Sequence, residues 1–142
     1  MGDSRYKKHL EERAKMYSHR ADCAYKILRD THGTLSPKPC GAFYVTVIFP
    51  DGLPAQGKLE IKNDTIKKYI EEITNPPTGG CPADKRFAYY LLGKTGICVV
   101  PLSGFNSNLM GFRVTLLETD EKKFEWIFKT LKMEIENYMK SR

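Results

Sequence analysis

Gly96-Ile97-Cys98-Val99-Val100-Pro101-Leu102-Ser103-Gly104-Phe105 is followed, after a short polar gap, by Gly111-Phe112-Arg113-Val114-Thr115-Leu116-Leu117. The first stretch reads as an apolar strand, Ile97 to Val100, that runs into a proline and a Ser/Gly/Asn loop. The second reads as another strand, with Phe112, Val114 and Leu116 on one face and Arg113, Thr115 and Leu117 on the other. Arg113 stands alone among apolar neighbours, beside a loop of small residues. A planar guanidinium held in that way can grip a carboxylate with two hydrogen bonds, which an ammonium does less well. A structural ion pair at the sheet's edge is the competing reading of the same residue. The loop Ser103 to Asn108 supplies amide donors and an aromatic wall in the first case, and is a plain connection in the second.

The rest of the chain arranges itself around these two strands. From Arg5 to about Asp30 the apolar residues Tyr6, Leu10, Ala14, Tyr17, Ala21, Ala24 and Leu28 recur every three or four positions, the pattern of a long amphipathic helix. Gly33 is its natural stop, and Pro37 and Pro39 make the next segment an extended connector. Ala42 to Phe49 is a third strand, rich in β-branched and aromatic residues and closed by Pro50-Asp51-Gly52. A short strand at Lys58 to Ile61 would make a fourth. Asn63 or Asp64 caps a short helix bearing Ile66, Tyr69, Ile70 and Ile73. After Asn75-Pro76-Pro77-Thr78-Gly79-Gly80, Pro82-Ala83-Asp84 starts a second short helix that ends near Gly93 or Gly96. Thr119-Asp120 caps a final helix with Phe124, Ile127, Phe128, Leu131, Ile135 and Tyr138 along one stripe. The expected architecture is α+β, an α/β sandwich in one domain over residues 1–142. A sheet of three to four strands is covered by two short helices and by long N- and C-terminal helices lying side by side.

Composition narrows the function classes. The chain has 142 residues, 41% hydrophobic and 28% charged, an ordinary globular balance. Its mean hydropathy of -0.46 leaves no apolar run of membrane-spanning length. The first residues have no apolar signal-peptide core, and cytoplasmic residence is the expectation. Cys23, Cys40, Cys81 and Cys98 form no CxxC pair, so neither a disulfide framework nor a metal site is expected; Cys23 and Cys98 read as small buried hydrophobes. The net charge of +6 raises nucleic acid as a partner. However, Lys7-Lys8, Lys67-Lys68 and Lys122-Lys123 all sit beside glutamates, the pattern of solvated helix faces, so no nucleic acid is expected.

Nothing in the chain announces catalysis. There is no GxSxG, P-loop, GxGxxG or HExxH, and His9, His19 and His32 all fall on or beside the first helix, as surface residues would. Four pieces nevertheless occur in an order that is familiar: Pro39-Cys40-Gly41-Ala42-Phe43-Tyr44, Phe87 to Leu92, Gly96 to Phe105, and Gly111 to Leu117. In this order and spacing the chain resembles the C-terminal small domain of a class I/II, fold-type I pyridoxal-phosphate aminotransferase, of the alanine-aminotransferase-like branch. The resemblance implies that Arg113 binds the α-carboxylate of an amino acid or 2-oxo acid, with Ser103, Gly104 and Phe105 lining the substrate side. Leu102 departs from the pattern, since many relatives have glycine after the proline.

The resemblance also implies what lies elsewhere. The Schiff-base lysine, the aspartate that pairs with the pyridine nitrogen and the phosphate-binding groups belong to the large domain of such an enzyme. No catalytic, cofactor-binding or metal-binding residue is therefore assigned in this chain, and pyridoxal phosphate is expected in the parent enzyme rather than on this chain alone. The implied function is to bind substrate and close the active site of a transaminase, with the large domain as partner. Self-association through surface that the large domain would cover is a further expectation. The alternative is a non-catalytic binding or interaction module of the same fold.

Overall fold

The computed structural model describes residues 3–141. Helix α1 runs over Ser4–Leu28, strand β1 over Tyr44–Ile48, helix α2 over Asp64–Thr74 and helix α3 over Ala83–Thr95. Strand β2 is Val100–Pro101, a 3-10 turn occupies Leu102–Phe105, strand β3 is Gly111–Thr115 and helix α4 is Glu121–Lys140. The strands form one antiparallel sheet in the order β1-β3-β2, so β3, which carries Arg113, lies in the centre. The fold is the expected α+β class, at the lower of the two expected strand numbers.

Local chemistry explains where most elements begin and end. Asn63 and Asp120 accept hydrogen bonds from the amides of Ile66 and Lys123, so each caps the helix that follows it. Gly96 closes α3 at φ +76°, a left-handed conformation that glycine adopts without strain. β3 opens on Gly111 because a Cβ there would run into the Val47 carbonyl oxygen on β1.

One face of the sheet is buried in the core, and the other is partly open among the described residues. Val45 and Val47 of β1 and Phe112 and Val114 of β3 point into the core, where Phe87 of α3 meets Phe49, Phe112 and Tyr138 with ring centroids 5.0–5.8 Å apart. Burial of this aromatic knot supplies much of the apolar area removed from water. The long helices pack against each other as expected, and Arg20 of α1 donates to the Leu116 carbonyl at 3.0 Å, tying the helix to the end of β3.

Three expectations are corrected. The segment Lys58 to Ile61 is not a strand; Leu59 and Ile61 are buried as side chains of an irregular connection. The strand foreseen at Ile97 to Val100 joins the ladder only at Val100, because the Ile97 amide donates to Thr95 Oγ1 at 3.1 Å instead. Alternation still holds there: Ile97 and Val99 are buried, which leaves Cys98 exposed rather than in the core. Cys23 is half-buried, with its sulfur 3.7 Å from His19 Nε2.

The stripe on α1 behaves differently from its period. Ala21, Ala24 and Leu28 are buried and Tyr17 is half-buried, but residues 5–15 are exposed all round, Tyr6 and Leu10 included. Only the C-terminal half of the helix packs on the body of the chain.

Candidate functional site

The partly open face of the sheet carries Tyr44, Thr46 and Ile48 of β1, Arg113 and Thr115 of β3, and Val100 of β2. The register sets Arg113 between Thr46 on one side and Val100 on the other. Arg113 is thus on the central strand and not at an edge. Among the described residues it makes no ion pair and no side-chain hydrogen bond. Its guanidinium carbon instead stands 4.6 Å from the centroid of the Phe105 ring. Stacking on an aromatic face orients the planar group and leaves its N–H edge for another partner.

The sequence placed Ser103, Gly104 and Phe105 in a loop near Arg113. The structure builds them into the 3-10 turn that directly follows β2, and Asn106 ends the turn at φ 55°. Phe105 meets Arg113, and Gly104 is exposed beside it. The Ser103 amide is already engaged: it donates to Asp84 Oδ2 at 2.8 Å. Tyr44 is half-exposed, with its ring centroid 4.4 Å from that of Phe43 in a tilted pair, which adds an aromatic flank to the same face.

Asp84, expected only as part of a helix start, also holds the turn that bears Phe105. It sits in the first turn of α3, fully buried, and its other oxygen accepts from the Lys85 amide at 2.8 Å. The helix is preceded by Pro82, which offers no side-chain cap. An acid two residues after a proline at a helix start is a sign of capping from within the first turn. Its second partner lies 19 residues away and has no trace in the local pattern.

Two hollows lie away from Arg113. One of about 600 Å³ runs between α1 and the start of α4, lined by Met16, His19, Cys23, Ile27 and Phe124 among others. Another, of about 620 Å³, has Cys98, Thr115, Leu117 and Trp126 in its wall and does not include Arg113. No group of three metal-ligating side chains occurs among the described residues, and no helix there is long and apolar enough to cross a membrane.

No family model matches the chain. Over 142 residues it is 47% identical to an uncharacterized aminotransferase of Methanocaldococcus jannaschii, a match that takes in 99% of this chain and 32% of the relative. The chain therefore spans about a third of the length of the relative it matches. Among solved structures it resembles an aspartate aminotransferase of Rhizobium meliloti (TM-score 0.63, 23% identity, 91% of this chain, 27% of that one). It also resembles an aminotransferase of Escherichia coli (TM-score 0.57, 15% identity, 86% of this chain, 24% of that one). At these identities the structural likenesses speak for the fold. The resemblance read from the sequence holds: along almost its whole length this chain is kin to part of an aminotransferase, and it has the fold of a portion of such enzymes.

Proposed function

We propose that the chain, as one folding unit over residues 1–142, is the substrate-closing part of a pyridoxal-phosphate-dependent aminotransferase that moves an amino group between an amino acid and a 2-oxo acid. The observation that carries this reading is Arg113: a guanidinium on the central strand, seated on Phe105 and exposed, with no ion pair among the described residues. Such a group binds a carboxylate and fixes its direction, which aligns the reacting carbon while closure excludes water. Ser103 and Gly104 shape the turn, and Phe105 forms the apolar wall.

Pyridoxal phosphate would supply the electron sink of the reaction. The residues around Arg113 do not fit it. The group needs an amine for covalent attachment, and the side chains on this face are those of Tyr44, Thr46, Val100, Phe105 and Thr115. Two lysines elsewhere, Lys38 and Lys123, have their pKa raised by hydrogen bonds to Asp22 and Glu118, the opposite direction from a nucleophilic amine. The cofactor, and the steps it carries, belong in this reading to a large domain that the chain must meet.

Charge pairing speaks against the alternative of a nucleic-acid module. Lys8, Lys38, Lys94, Lys123 and Lys129 all lie within 4 Å of a carboxylate oxygen. The test is kinetic, on the complete enzyme. Arg113→Ala is expected to lower kcat/KM for the amino acid by about two orders of magnitude, the scale of a lost charge-assisted pair. Unchanged kinetics would remove Arg113 from the site.

A further inference from the structure

The Asp84 carboxylate poses a question that folding alone does not answer. It is completely buried, and both of its oxygens are taken by main-chain N–H groups, Lys85 and Ser103, each at 2.8 Å. No basic side chain pairs with it among the described residues. Burying a charge costs several kcal/mol unless strong hydrogen bonds offset it. An uncharged asparagine or serine would serve the helix start with less desolvation.

What the charge adds is a strong second bond, to Ser103. The 3-10 turn begins after Pro101, which offers no side-chain cap, so one carboxylate completes the open ends of both α3 and the turn. Phe105 lies two residues beyond Ser103 in the same turn, and its ring is the surface on which the Arg113 guanidinium rests. A chain of direct contacts therefore runs from Asp84 through the turn and Phe105 to Arg113.

We infer that Asp84 is the positioning residue of the candidate site: its buried carboxylate holds the turn that keeps Phe105 beneath Arg113 and presets the guanidinium for a carboxylate ligand. The last clause rests on the function proposed above; the link from Asp84 to Arg113 does not. A guanidinium already ordered loses less freedom on binding, so the benefit appears as affinity.

The experiment is nuclear magnetic resonance on the full chain. The Phe105 ring shifts the Arg113 Nε–H signal, and Phe105→Ala gives the size of that shift. Asp84→Asn, which keeps the shape and removes the charge, is expected to abolish at least half of it while the amides of Phe87 to Leu91 stay in place. In the Phe105→Ala background the same change should move Arg113 no further. If Asp84→Asn moves the Ser103 amide but leaves Arg113 where it was, Asp84 is a cap only and the inference fails. Should that variant not fold, amide exchange in the native chain decides. Ser103 slowed by about tenfold or more against an unstructured amide supports the bond, and an unprotected Ser103 overturns it. Pyruvate, the simplest 2-oxo acid, separates the two claims. It should move the Arg113 signal, with an affinity about fivefold weaker in Asp84→Asn. No response in the native chain would sink the carboxylate grip and leave the Asp84 result standing.

Discussion

Arg113 and Tyr138 show how differently two polar side chains can relate to one small fold. Arg113 faces outward with no counter-ion among the described residues, so its removal should cost the fold little. Arg113→Ala is expected to stay within about 0.5 kcal/mol of the native chain in denaturant unfolding. Tyr138 is wholly buried, and that burial pushes its pKa from 10.0 up to about 12, against the pull of the nearby Arg86. Below pH 10 the phenol is protonated whether the chain is folded or not. Above it the unfolded chain loses the proton first, so stability falls as the pH rises from 10 towards 12. Tyr138→Phe should flatten part of that fall, seen by comparing melting temperatures at about pH 9 and about pH 11. Of these residues Arg113 was legible in the sequence, because a charge inside an apolar alternation draws notice. Asp84 was not, because its meaning depends on an amide far along the chain.

At the scale of elements the termini were the most legible features. Asparagine, aspartate and glycine act through bonds to their immediate neighbours, and Asn63, Asp120 and Gly96 all do what their type and place suggest. Asp120→Ala should therefore destabilise the fold by about 1 kcal/mol in chemical denaturation. Gly96→Ala, forced to a positive φ, should cost a similar amount, about 1 kcal/mol. Strand pairing was harder to foresee. Ile97 to Val100 has the composition of a strand, yet the Thr95 hydroxyl takes the Ile97 amide and delays the ladder. Composition registers a preference for extended backbone, not the partner of each amide.

For the molecule as a whole, the open face of the sheet is the dominant fact. Tyr44, Val100, Phe105 and Leu117 are between 42% and 51% exposed, apolar surface open to a covering partner. Purified alone, the chain is expected to self-associate, its sedimentation coefficient rising with concentration. A strictly monomeric profile at high concentration would count against a covered face in the complete enzyme. The class of fold followed from periodicity, since four helical stripes and three apolar strands leave few ways to bury them. Which faces remain open did not follow, because an apolar period is the same whether the surface that meets it is in the chain or outside it.

The half-packed first helix has a consequence of its own. Over 11 residues, 5–15, it has solvent on every side, while from Tyr17 onward it is fastened to the core. An isolated stretch of that length is only marginally helical in water. Its backbone amides should therefore trade their hydrogens for deuterium through local fraying, and those near Ala24 and Leu28 only when the whole chain opens. A single continuous rod would thus report two clocks, and any body that docks along its free half would be recognised by the faster one slowing to match the other.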